Sequence, residues 1–333
     1  MKRLSVFVVL SFLSVACAGG GNNAASLPES EVAEPVATIA TVAVDTAAFP
    51  VTITHDRGET TLEQPAERVV VMSEEFIELA IALDLAPVGV GPWRNEPTGE
   101  TFTTLPHIEQ PIPGEPVYLN GSEPSMEAIL ALQPDLILHH ASAADAETDL
   151  YESFSQIAPT LAYFGADVDG WKSAIQGLGV ATGYSTRAEE VISDYDERVA
   201  ELHAEMTPVV ERVPEVTLLI GNADTLGIFD ERMALGGLVE TLGFTLSIPD
   251  SVEMPEAGYS PISPEILSEI TADTIVQMGP ANNEERLGDS ILSSLDIPIL
   301  NTTVLQGMGF TGPFAEMIYL EGFVNAFNEE YIR

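Results

Sequence analysis

Apolar and polar positions alternate with a period of two in Val51-Thr52-Ile53-Thr54, and Asp56-Arg57-Gly58-Glu59 turns this segment back into Thr60-Thr61-Leu62, which predicts a β-hairpin. The pattern then becomes uninterrupted. Arg68-Val69-Val70-Val71-Met72 is an apolar run of the kind buried on both faces, followed by a helix expected over 74–83 and a short strand over 87–91. A second unit repeats this: helical spacing over 124–132, a break at Pro134-Asp135, the strand Leu136-Ile137-Leu138, and another strand over 157–163. Such alternation predicts a parallel sheet with helices on both faces.

The middle of the chain carries two helical stretches, 171–182 and 186–206, the second long, acidic and expected to stop at Pro208. Beyond it the alternation restarts. A strand is expected over 216–220, a helix over 236–242 ended by Gly243, a helix over 264–269, a strand over 274–278, a short strand around Val304 and a closing helix over 312–332. The two halves share an order. Pro124-Ser125-Met126-Glu127 leads to Asp135-Leu136-Ile137-Leu138, and Ser263-Pro264-Glu265 leads to Asp273-Thr274-Ile275-Val276. The folded part therefore divides into an N-terminal lobe over 50–165, a helical connector over 166–212 and a C-terminal lobe over 213–333, a two-lobed α/β protein that suits the length of 333 residues.

The first residues follow a different logic. Met1-Lys2-Arg3 is basic, and 4–13 is apolar but too short to span a bilayer as a helix, so 1–16 reads as a signal peptide. Small residues lead into Cys17, the only cysteine of the chain, in the layout of a bacterial lipobox; Ser14 stands where Leu is more usual. A signal peptidase needs small side chains before its cut, and a thiol forms the thioether to diacylglycerol. A lone cysteine in an exported protein has no internal disulfide partner, so Cys17 is expected to be the lipidated first residue of the mature protein. Residues 17–49, rich in Gly, Ala, Ser, Thr and Pro, read as a flexible tether. The expected location is the outer face of the cytoplasmic membrane, at the cell surface or in a periplasm.

Charge narrows the partners. Acidic residues number 52 against 12 basic, a formal charge of -40, and the lysines are Lys2 and Lys172 alone. Such a surface repels nucleic acid and anionic headgroups, so no nucleic-acid partner is expected. Its plain meaning is a solvated acidic shell. The sequence carries no Gly-x-Ser-x-Gly elbow, His-Glu-x-x-His, phosphate loop or Gly-x-Gly-x-x-Gly opening a helix, and no catalytic residue is assigned. A lipid-anchored hydrolase or a cell-wall interaction module remains the non-transport alternative.

Arg68-Val69-Val70-Val71, Ala86-Pro87-Val88-Gly89-Val90, the run from Met126 through Pro134-Asp135 to Ile137, and Leu178-Gly179-Val180-Ala181-Thr182-Gly183 stand in the order seen in ferric-siderophore and cobalamin binding proteins of ABC importers, which the chain resembles over 49–332. That resemblance implies two Rossmann-like lobes with mainly parallel sheets, joined by one long rigid helix, and a largely preformed cleft. It also implies that Glu127 and Glu265 meet arginines on the permease, one from each lobe; as first-turn residues both also suit the helix dipole. The partners implied are the ABC permease with its ATPase, an iron chelate, and the membrane through the lipid anchor, with the protein itself a monomer. No intrinsic cofactor is expected.

Ligands of open α/β sheets sit beyond the carboxyl ends of strands. This rule nominates loops around Ser73-Glu74, Trp93, Arg94, His139, His140, Tyr163-Phe164, Asn222, Arg232, Tyr259 and Arg286. Trp93 and Tyr259 offer flat faces to a chelate, and the three arginines offer forks to its oxygens. Directly after a strand, His139 or His140 is a candidate ligand for a metal or haem iron, against a polar lining role; adjacent residues on a strand point apart, so one site rarely uses both, and no direct metal ligand is assigned. The scarcity of basic residues favours a hydroxamate-type ferric siderophore over highly anionic catecholates. Haem and cobalamin remain alternatives.

Overall fold

The structure, a computed structural model, describes residues 48–92, 105, 107–121, 123–141, 150–164, 170–221, 226–279, 295–303 and 311–332. Cys17, the signal peptide, nearly all of the tether, Trp93, Arg94, Asn222 and Arg286 lie outside these residues.

The predicted hairpin forms from β1 (Val51–His55) and β2 (Gly58–Leu62). It is stitched to the first large sheet: the Thr60 hydroxyl donates to the Thr160 carbonyl at 2.8 Å, and the Phe164 N–H donates to the Asp56 carboxylate at 2.6 Å. That sheet contains β3 (Val69–Met72), β4 (Gly89–Val90), β5 (Val117–Tyr118), β6 (Leu136–His140) and β7 (Thr160–Tyr163). Their order is β5-β4-β3-β6-β7, with every pairing parallel. The crossing helices are α1 (Glu74–Ala82), α2 (Met126–Ala131) and α3 (Leu150–Ser155).

Two helices follow, α4 (Gly170–Thr182) and α5 (Ser185–Val210). The second, at 26 residues, extends about 39 Å at 1.5 Å per residue. It does not stop at Pro208. A proline in the last turn removes one backbone donor, a smaller cost than in mid-helix, and the Glu211 N–H still reaches the Thr207 carbonyl at 3.0 Å. The buried positions Ala188, Tyr195, Leu202 and Val209 recur along one stripe, which packs against α4 and the closing helix α7 (Pro313–Tyr331).

The second sheet is built from β8 (Glu215–Gly221), β9 (Leu226–Phe229), β10 (Thr245–Leu246), β11 (Tyr259–Ile262), β12 (Thr274–Gly279) and β13 (Ile299–Thr303). Its main order is β11-β9-β8-β12-β13, and β10 shares an edge of β8 with β9. Here the expectation of parallel pairing holds only for one side. β12, β13 and β10 run parallel with their neighbours, whereas β9 and β11 are antiparallel additions. Helix α6 (Ala234–Thr241) ends where predicted, with Gly243 at a φ of 99°, while the segment expected as a helix over 264–269 is a 3-10 helix, Pro264–Glu269. The strand expected around Val304 lies just before it, as β13.

Period-two alternation explains why the sheet strands read as continuous apolar runs. Val69, Val71, Leu136 and Leu138 face the main core, while Val70, Met72 and Ile137 face a smaller one. In the second sheet Val216, Leu218, Val276 and Met278 face the same main core, and Leu219 and Ile275 a second satellite. The main core is continuous from β3 and β6 through Ile175, Tyr195 and Phe323 to β8 and β12. Each fully buried large apolar side chain in it, such as Phe76, Leu79 or Phe323, contributes roughly 1.5–3 kcal/mol of transfer free energy.

Candidate functional site

The carboxyl ends of the first sheet carry a mixed set of groups. At the end of β3, the Ser73 hydroxyl accepts from the Phe76 N–H at 3.3 Å and caps α1. Glu74 and Glu75 follow, both buried, where the positive end of the helix dipole favours carboxylates. At the end of β6 the two histidines diverge. His139 is buried edge-on to Phe154, with ring centroids 5.0 Å apart, whereas His140 sits on the other face against Phe76 at 5.8 Å. Tyr163, opposite His140 in register, also meets Phe76 edge-on. His140, Phe76 and Tyr163 therefore form one aromatic group. Tyr163 itself is a core residue, its hydroxyl lying over Gly177 where a Cβ would approach within 1.9 Å. Burial, with Asp56 adding its charge, pushes that hydroxyl up to about 12. Phe164, next along the chain, is 45% exposed.

In the second half, Arg232 follows β9 and its guanidinium is engaged by Asp230. Burial works against ionisation of Asp230, but hydrogen bonds from the Arg232 side chain and main chain outweigh it and hold the carboxyl below its ordinary value. Tyr259 opens the edge strand β11, beside Phe229 and over Gly227. Its register partner is Phe229, whereas Leu226 at the other end of β9 faces Gly221 at the carboxyl end of β8. The described residues thus bring His140 and Tyr163 together, separate His139 from them, and place Arg232 and Tyr259 on the antiparallel edge of the other sheet. Among the described residues no group of three or more His, Cys, Asp or Glu is arranged to hold a metal ion.

The repeated segment of the two halves becomes a repeated module. In the first half the Asp135 carboxylate accepts from the Glu67 and Arg68 N–H groups at 3.0 and 2.7 Å, and the Asp135 N–H returns to the Arg68 carbonyl. In the second, the Asp273 carboxylate accepts from the Glu215 N–H at 3.0 Å, and the Asp273 N–H returns to the Glu215 carbonyl. Glu127 and Glu265 stand at the same spacing before these aspartates, and both are exposed. The supports differ. Helix α2 is held at both ends, by Ser125, whose hydroxyl accepts from the Ala128 N–H at 3.2 Å, and by Arg68, whose guanidinium donates to the Leu132 and Gln133 carbonyls. The 3-10 helix has no side-chain cap on its first turn. A hydrogen bond with Ser263, aided by Glu265's own N–H, holds the Glu265 carboxyl below its ordinary value.

One polar cluster escaped sequence reading. Glu78 on α1 is fully buried; its carboxylate accepts from the Phe314 and Ala315 N–H groups at 3.0 and 3.1 Å, and its other oxygen lies 2.7 Å from His107 Nε2. Gly312, with φ 122°, permits this approach, since a Cβ there would lie 2.6 Å from the Glu78 oxygen. Burial raises the Glu78 pKa, and His107 and the two backbone donors oppose that rise. Beside it, Glu316 accepts from Trp171 Nε1 at 3.0 Å and from the Tyr195 hydroxyl at 2.6 Å. The two carboxylates tie α7 to α1, α4 and α5. A glutamate on a strongly apolar helix face, Phe76-Ile77-Glu78-Leu79-Ala80, is the signal that marks Glu78 in the sequence.

Known proteins share both sequence and fold with this chain. A ferric enterobactin-binding periplasmic protein, FepB, of Escherichia coli is 30% identical over 209 residues, covering 62% of this chain and 64% of its own. A putative ABC transporter substrate-binding lipoprotein, YhfQ, of Bacillus subtilis is 29% identical over 204 residues, 60% of each chain. The chain thus spans somewhat less than two thirds of the length of these curated relatives. The crystal structure of the petrobactin-binding protein YclQ of Bacillus subtilis superposes with a TM-score of 0.65 at 15% identity, over 85% of this chain and all of the other, a likeness of fold. The periplasmic binding protein family model matches residues 69–294, which takes in most of both sheets and the long helix between them, and the chain belongs to that family.

Proposed function

We propose that the protein is a lipid-anchored solute-binding protein that captures a ferric siderophore outside the cytoplasmic membrane and delivers it to an ABC permease. The observation that carries this reading is the family match across both halves, together with an outward carboxylate at the same place in each. Glu127 and Glu265 are both exposed and would pair with arginines of a permease that spans the two halves, which fixes orientation. FepB is named for binding ferric enterobactin and YclQ for binding petrobactin, and YhfQ is called a lipoprotein; the last supports a lipid on Cys17.

The favoured ligand is a hydroxamate-type complex. Two buried carboxylates, Glu74 and Glu75, stand at the carboxyl end of β3, and Arg232 is committed to Asp230. A neutral or cationic complex meets less repulsion there than a catecholate, which carries several negative charges. Titration of the purified protein with ferrioxamine B and ferric enterobactin, followed by intrinsic fluorescence, tests this. Tight binding of the first and weak binding of the second is expected; the reverse overturns the hydroxamate assignment, and failure of both overturns siderophore binding. Of the two tryptophans, Trp171 is buried against Glu316, so the response is expected from Trp93.

A further inference from the structure

Glu127 and Glu265 occupy matching positions, but their surroundings are not alike. One turn beyond Glu127, on the same face of α2, Leu130 is 58% exposed, an apolar side chain that the fold leaves in water. At the matching position beyond Glu265 stands Ser268, whose hydroxyl bends back to the Glu265 carbonyl at 2.9 Å. Glu127 puts acid one turn before Leu130, and Ala131 beside it is exposed too. Arg68 and Ser125 fix α2 at both ends, so the leucine is presented on a rigid support; the 3-10 helix of the other half has no such clamps. Leu130 is therefore an exposed apolar point one turn from an exposed carboxylate, on one half only.

We propose that Leu130 is the apolar anchor of the permease dock and makes the two-point contact unequal, with the N-terminal half gripping more tightly than the C-terminal half. The proposal rests on the docking reading of Glu127 and Glu265. Its occupant is the membrane-embedded permease, presenting a basic surface with an apolar recess. The chemistry is that of an interface hot spot: a fully desolvated apolar side chain at the centre, and a charged pair whose Coulomb attraction strengthens as water is excluded around it. Glu127 beside the leucine and a net charge of -40 disfavour a second copy of this chain as the occupant.

The test uses the full-length protein and membrane vesicles from its own host, lacking the chromosomal copy, with the bound permease identified by cross-linking and mass spectrometry. Leu130→Ser is expected to weaken saturable binding about tenfold, Leu130→Met to restore it, and Ser268→Ala to leave it within about twofold. Leu130 is exposed, so the unfolding midpoint of Leu130→Ser is expected to match wild type, which separates docking from folding. Wild-type binding by Leu130→Ser, alongside weakened binding by Glu127→Ala, overturns the anchor. A sedimentation change in Leu130→Ser alone, with vesicle binding intact, assigns the patch to self-association and overturns it as well. Wild-type binding by both Glu127→Ala and Glu265→Ala removes the docking reading itself.

Discussion

Glu78 is one of several buried carboxylates, and its surroundings show how the cost of burying charge is met. Its carboxylate is out of water, and its compensation comes from His107 and two backbone N–H groups at the start of α7. Because its pKa in the fold is raised, the stability it contributes is complete below the ordinary carboxylate pKa and declines as pH rises through the elevated value. His107→Ala removes one partner and raises that pKa further. The variant is expected to be destabilised by about 3 kcal/mol at neutral pH and by much less near the bottom of the carboxylate range, as measured by urea denaturation at both pH values. An equal loss at both would assign His107 a packing role. The backbone part of this contact joins positions 236 residues apart, a pairing that no local pattern encodes. His139 and His140 are the opposite case: strand geometry alone says that they diverge, and they do.

At the scale of elements, legibility followed burial on two faces. β3, β6, β8 and β12 read directly as apolar runs because each strand contributes alternate residues to two cores. The strands that were missed have weak or broken patterns. β9 is four residues with a glycine, and β11 contains Pro261, tolerable only because β11 lies at the sheet edge. The same edge supplies the antiparallel pairings that simple strand-helix alternation did not foresee. Helix α2 shows how a short element is made firm. With six residues it is too short to be stable alone, and Arg68 satisfies the carbonyls at its end. Arg68→Ala is expected to cost about 1 kcal/mol, seen as a lower urea midpoint with an unchanged slope, and, on the docking proposed above, to weaken permease binding through Leu130 and Glu127. Unchanged binding in that variant would show that α2 holds its place without the clamp.

For the whole molecule, a formal charge of -40 on 333 residues makes self-repulsion a standing cost of the compact state. Raising NaCl from about 20 mM to about 1 M, which shortens the Debye length from tens of ångströms to about 3 Å, is expected to raise the Tm by several degrees. A flat or falling Tm would mean that attractive pairs such as Lys172–Asp196 offset the repulsion.

The core described above runs unbroken from one sheet to the other through α4, α5 and α7. Its consequence is mechanical and cooperative. Two halves that share one apolar interior cannot melt independently, so calorimetry is expected to record a single transition whose van't Hoff and calorimetric enthalpies agree. Limited proteolysis should yield no stable half-length fragment. A protein built this way changes shape only by small adjustments around a stiff spine, so a displacement of one half is transmitted to the other.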